Sequence, residues 1–179
     1  AEDGPDIVIA NAGGAFGKAN VGSEDLGDVR AMLDVNVFGA IKTVRALMPS
    51  LLAKQRGHVM FIGSIAGLEA YEGGSTYCAA KAAIHAFCKA LRYETYGSGV
   101  RVTNVAPGFV GEGTEFAAVR NKGDMAKAAA TYHGFDELRA SDIACQLLWA
   151  LRQPERINVD LLHVMPSNQG GATRIKRVG

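Results

Sequence analysis

The chain has 179 residues, nineteen basic against eighteen acidic side chains, and a net charge of +1. That length holds one domain with a real core, and the balanced charge gives no electrostatic case for nucleic acid or an anionic membrane. No apolar run reaches the ~18 residues needed to span a bilayer.

No secretory signal opens the chain. Three cysteines, Cys78, Cys88 and Cys145, are an odd count without a C-x-x-C, so a reduced, cytoplasmic protein is expected. Cys78 reads as a small packed residue rather than a nucleophile.

Asp6 to Ala10 reads as a strand buried on both faces, followed by a Gly-rich turn from Asn11 to Gly17. Ser23 is a plausible N-cap with Glu24 and Asp25 behind it. Val29, Leu33, Ala40, Val44, Leu47 and Leu51 then form a helical stripe, and Pro49 should kink or loosen that helix near its end. Asn36 falls on the stripe, where a polar residue needs a partner.

Val59 to Ile62 is the second strand, led in by Gly57 and His58 and ended by Ser64. Ser75 or Thr76 can cap the next helix and Gly97 can end it, with Ala80, Ala83, Ile84, Phe87 and Leu91 as its apolar face. Its several alanines suggest close packing against another helix, such as a partner subunit's. Val100 to Val105 is a third strand and leads to Pro107-Gly108. Residues 109–139 lack strong periodicity. Ser141 or Asp142 caps a last helix, and Val159 to Met165 is the final strand. Strands alternating with helices imply a parallel sheet with right-handed crossovers, the α/β class. Residues 1–179 read as a single domain without repeat or linker.

Tyr77 and Lys81 form a Y-x-x-x-K pair. On a helix, i and i+4 project from one face, so phenol and ammonium can serve one reaction centre at the edge of the apolar stripe. A tyrosine ionises near pH ~10, and a cation held beside it lowers that value, giving an acid/base that works near neutrality. The pair alone is a weak signal. The ordered set is more specific: Asn11-Ala12-Gly13 after the first strand, Asn36 in a helix, Ser64 ending the second strand, Tyr77 and Lys81 opening a helix, Pro107-Gly108 after the third strand.

With that set the sequence resembles the short-chain dehydrogenase/reductase family over essentially its whole length. The resemblance implies a Rossmann-like parallel sheet with flanking helices and a nicotinamide-dependent oxidoreductase. Tyr77 would then be the acid/base. Lys81 would lower its pKa and hold the nicotinamide ribose, Ser64 would orient the substrate oxygen, and Asn36 would hold a water in a proton relay. For Asn36 the structural reading is a hydrogen bond to neighbouring backbone. Asn11, Ala12, Gly13, Tyr77, Lys81, Pro107, Gly108, Val110 and Thr114 would line the cofactor, NADP with NAD possible. A homodimer or homotetramer is expected. Ala10 stands where many members have a second Asn.

Family members carry a Gly-rich phosphate turn and two further strands before the Asn-Ala-Gly turn. On ~30 residues per strand–helix unit, roughly seventy to ninety residues of that N-terminal half, with its strands, are expected to be missing here. The absent part carries the pyrophosphate site and the residue that sorts NAD from NADP. Gly13 to Gly17 lacks the spacing to replace it.

Residues 109–139, with Glu112 as a one-residue insertion, read as the substrate region. With Val164-Met165-Pro166 and Gln169 they are similar to the branch of NADP-dependent 3-hydroxy acid dehydrogenases, including serine and allo-threonine dehydrogenases. A carboxylate substrate calls for a cation, and Arg suits bidentate binding. Arg120 is the first candidate and Lys122 the second, against a solvated charged loop. Other readings are a reductase of 3-oxoacyl thioesters or sugar alcohols, and a catalytically silent oligomerisation domain. His58, His85, His133 and His163 show no metal-ligand spacing, and no metal is expected. Trp149 reads as core or subunit interface, and Arg174 to Arg177 as a solvated basic terminus.

Overall fold

The computed structural model describes residues 4–178. Four strands, β1 (Ile7–Ala10), β2 (Gly57–Ile62), β3 (Val100–Pro107) and β4 (Leu161–Val164), form one parallel sheet in the order β1-β2-β3-β4. β1 is an edge strand, with Ile7 47% and Ile9 42% exposed.

Period-two alternation sends successive residues of β2 to opposite faces. Val59 and Phe61 pack with Val8, Val102 and the helices α2 (Gly39–Lys54) and α3 (Ser75–Thr95). Met60 and Ile62 pack with Val105 and with Ile143 and Ala150 of α6 (Ala140–Leu151). Helices therefore cover both faces, the Rossmann-like arrangement.

One expectation fails here. The strands run in sequential order, yet α2 and α3 lie on one face and α6 on the other. The third crossover thus has the opposite hand to the first two, and the three cannot all be right-handed. The connection is long enough to pass over the strand ends. On the way it forms α4 (Phe116–Arg120) and α5 (Met125–Tyr132), too short to show as periodicity.

The helix carrying Asn36 is also less regular than its stripe. It runs as α1 (Leu26–Leu33), a π-helical turn (Asp34–Phe38) and α2. Asn36 Nδ2 donates to Met32 O at 2.9 Å. A side chain that takes the i−4 carbonyl opens the ladder at that point. Asp25, not Ser23, caps α1 by accepting from Asp28 N, and Ser23 ends a short 3₁₀ turn. α2 continues five residues past Pro49 and closes at Gln55 in the left-handed region.

Gly74, not Ser75 or Thr76, is the N-cap of α3, and Thr76 instead bonds Glu24 Oε2. Arg139 caps α6, with Asp142 Oδ2 accepting from its N–H, so Ser141 and Asp142 both lie inside the helix. Trp149 is 49% exposed, which removes its core reading. The basic tail folds back: Arg177 donates to the carbonyls of Thr131 and His133, and Lys176 N to Asn168 O. Among the described residues, no helix is long and apolar enough to cross a membrane.

His58 is buried on β2, with Nε2 2.7 Å from Thr103 Oγ1. Burial, assisted by Arg101, lowers its pKa to about 4. An unfolded histidine protonates near ~6.5, so the stability held in the neutral ring is complete above that pH and is lost as pH falls towards 4. The urea midpoint of the intact protein should fall more between about pH 7 and pH 4.5 in wild type than in His58→Gln. Equal falls would assign the acid sensitivity to other groups.

Candidate active site

The carboxyl ends of β1, β2 and β3 deliver three turns to one place, where ligands bind in open parallel sheets. β1 runs into Asn11-Ala12-Gly13, β2 into Gly63-Ser64, and β3 into Pro107-Gly108. α3 begins beside them, and its buried residues are Tyr77, Cys78, Ala80, Lys81, Ile84, Cys88, Leu91 and Thr95. Tyr77 and Lys81 thus lie within the buried face rather than at its edge.

Lys81 is 5% exposed, and its ammonium donates to Ile62 O at 2.9 Å. Burial lowers its pKa to about 8. Two glycines make room for it. A Cβ on Gly13 would come within 2.6 Å of Asn36 Oδ1 and 3.4 Å of Lys81 Nζ. A Cβ on Gly67 would come within 2.6 Å of the Lys81 carbonyl oxygen.

Asn36 fixes the first turn from below: Oδ1 accepts from Gly14 N at 3.2 Å, and Nδ2 donates to Gly14 O at 2.7 Å as well as to Met32 O. Both ends of the amide are bonded to main chain, the structural role that stood beside the proton relay.

Tyr77 is 7% exposed, within a cluster of Ala15, Met32, Ala66 and Cys78, and its ring lies 5.7 Å from that of Phe116. Burial raises the phenol's pKa well above its ordinary value; the Ser64 hydroxyl and Arg120 pull it back, while Tyr71 and Cys78 add to the rise. The expectation that Lys81 depresses this phenol is not met here. Burial of the ring dominates, and the ammonium is directed at Ile62 O with its Nζ 5.8 Å from the ring centroid. Ser64 Oγ also accepts from Ala66 N.

Arg120 joins the site from α4. Its Cζ lies 5.8 Å from the Tyr77 ring and 5.4 Å from the Tyr71 ring, and Nη1 donates to Tyr71 Oη at 2.9 Å. Lys122 does not join it: Nζ pairs with Asp28 Oδ2 at 2.7 Å, which raises its pKa. Val110 bonds the end of α5, and Thr114 bonds within the loop after β3. Val110 O accepts from Tyr132 Oη at 2.8 Å, and Thr114 Oγ1 donates to Gly111 O at 3.0 Å. Gly108 is clamped by buried Gln169, whose Oε1 accepts from Phe109 N at 2.9 Å.

Sequence reasoning missed Tyr71 and Phe116, since each acts from an irregular loop or short helix. Cys78 and Cys88 are buried and Cys145 exposed, all three as free thiols. Among the described residues, no cluster of three His, Cys, Asp or Glu could hold a metal ion.

A parallel α/β sheet with buried Tyr77 and Lys81 and half-buried Ser64 beside its strand ends is the arrangement expected of a dehydrogenase-type site. The family model described as short chain dehydrogenase matches residues 4–124, and the chain belongs to that family. It is 40% identical over 172 residues to an NADP-dependent 3-hydroxy acid dehydrogenase of Schizosaccharomyces pombe, covering 96% of this chain and 66% of that protein. It is 38% identical over 167 residues to the NADP-dependent 3-hydroxy acid dehydrogenase YdfG of Escherichia coli K12, covering 93% of this chain and 67% of the relative. The chain thus spans about two thirds of the length of these curated relatives. The closed form of a serine dehydrogenase complexed with NADP+ superposes with a TM-score of 0.92 at 36% identity, over 97% of this chain and 70% of that one.

Gly67→Ala should destabilise the protein by about 1–3 kcal/mol, because the added carbon meets backbone rather than a flexible side chain. Denaturant midpoints of the two proteins test this, and an unchanged midpoint would show that the turn yields freely.

Proposed function

We propose that this chain forms the catalytic part of an NADP-dependent oxidoreductase that interconverts small 3-hydroxy acids of the serine, allo-threonine or 3-hydroxypropionate type with their semialdehyde or 3-keto forms. The observation that carries the reading is the buried Tyr77 phenol flanked by Ser64, Lys81 and Arg120 at the carboxyl ends of parallel strands. The names of the similar dehydrogenases support NADP and this substrate class.

The residues present fit the nicotinamide end of such a cofactor. Asn11, Ala12 and Gly13 expose their edge beside Lys81. An ammonium has three donors, and Ile62 O occupies one among the described residues, which leaves donors for a ribose. Pro107 ends β3, and Gly108, Val110 and Thr114 belong to the loop that follows and would close over it. The bound cofactor would supply or accept the hydride.

Tyr77 would exchange the proton at the substrate oxygen, and Ser64 would orient that oxygen. Asn36 would hold the Gly14 peptide, and with it the first turn, against Lys81. Residues 109–139 would cover the substrate, with Arg120 as partner for its carboxylate. Lys122, paired with Asp28, is the weaker candidate. A homodimer or homotetramer, with half-exposed Trp149 in an interface, belongs to the same proposal.

In the intact protein Tyr77→Phe removes the proton and keeps the ring. Hydride transfer measured by stopped flow should slow ~10²–10⁴-fold, and a rate within about threefold of wild type would remove Tyr77 from the mechanism. Arg120→Ala should lower kcat/KM for 3-hydroxypropionate roughly ten- to a hundredfold, the worth of a charge-assisted hydrogen bond. Loss on the uncharged 1,3-propanediol should be much smaller. Equal losses on both would place Arg120 among structural residues.

A further inference from the structure

Arg120 is half-buried, and among the described residues no carboxylate lies within ion-pair distance of it. A guanidinium carries five N–H donors in a planar fork. Such a group, part-shielded and lacking an anion, stays in one orientation only if other contacts hold it.

Those contacts come from three segments. The Arg120 carbonyl accepts from Gly17 N at 2.9 Å, which ties its backbone to the turn after β1. Its Nη1 donates to Tyr71 Oη, and its Cζ stands over both the Tyr71 and the Tyr77 rings. Tyr71 is itself confined. Its ring lies against Gly74, where a Cβ would come within 2.2 Å of Cε2, and Gly73 turns there at φ +73°. The loop Tyr71-Glu72-Gly73-Gly74 between Ser64 and Tyr77 is thus shaped to press a phenol against the arginine.

We propose that Tyr71 is a positioning residue of the carboxylate subsite: its hydroxyl holds one nitrogen of Arg120, so that the rest of the fork faces a substrate carboxylate beside the Tyr77 ring. This rests on the reading of the site as one for 3-hydroxy acids. Tyr71 touches neither the transferred proton nor the reacting carbon. It acts through Arg120, and the substrate class it selects is a short chain with an anionic group near the reacting hydroxyl.

The test is a double-mutant cycle in the intact protein, with 3-hydroxypropionate and 1,3-propanediol as the acid and neutral substrates. Tyr71→Phe keeps the ring and removes only the hydroxyl. It should lower kcat/KM for the acid about tenfold, chiefly through KM, with a much smaller change on the diol. In the Arg120→Ala background the same substitution should change the acid rate by less than about twofold, because the residue it acts through is gone.

Multiplying losses in the double variant, equal losses on acid and diol, or an unchanged acid preference in Tyr71→Phe would each overturn the proposal. A wild-type protein that does not favour the acid over the diol would instead overturn the carboxylate reading on which the proposal rests.

Discussion

An ammonium group buried at the end of the sheet is the constraint around which the site is organised. Removing a lysine's charge from water is expensive unless it is hydrogen-bonded, and Lys81 meets this through Ile62 O at the last residue of β2. That bond sets the start of α3 against the strand end. It also dictates what can surround the lysine: Gly13 and Gly67 stand where any side chain would collide with Lys81 or its neighbour Asn36. Asn36 in turn anchors the turn after β1 by bonding both the N–H and the C=O of Gly14, at the cost of opening one helical turn. A π-turn of this kind frequently marks a functional position. Here its effect is mechanical, since it lets one amide reach the helix and the turn together.

In the proposed function the acid/base chemistry would draw on a second cation, Arg120. With Tyr77 buried, its phenol is held in the neutral form, which suits a proton donor to a substrate oxygen. Arg120 and the Ser64 hydroxyl pull against burial. A substrate carboxylate seated on Arg120, as proposed, would offset part of that pull, so substrate binding and phenol ionisation would be electrostatically coupled. Arg120 also links the turn after β1, the loop before α3 and α4, three segments far apart in sequence.

Much of this was legible in the residues, and the failures have physical causes. β2, β3 and α3 are long and strongly patterned, so their existence and parallel order followed from apolar runs and period. The spacing of Tyr77 and Lys81 placed both on one helical face, though burial of that face proved deeper than the stripe implied. The cap was misassigned at Ser23 because Ser23, Glu24 and Asp25 are polar residues in a row, and at Ser75 because α3 starts from Gly74 without a side-chain cap, with Thr76 drawn to Glu24 instead. The hand of the third crossover was missed because the rule serves short returns, whereas residues 109–139 travel over the strand ends first. Tyr71 carried no signal, since its role exists only when Arg120, forty-nine positions later, folds onto it. The influence assigned to Lys81 on the phenol came from placing a cation nearby without weighing the burial of the ring.

The most direct measurement follows the hydrogen itself. The intact protein would be incubated with NADP+ and 3-hydroxypropionate bearing deuterium on carbon 3, and the reduced cofactor examined by mass spectrometry. Transfer of one deuterium from that carbon to the nicotinamide is the predicted result. Reduced cofactor without deuterium, or no reduction by any small 3-hydroxy acid, would contradict the assignment of this site to hydride transfer from 3-hydroxy acids.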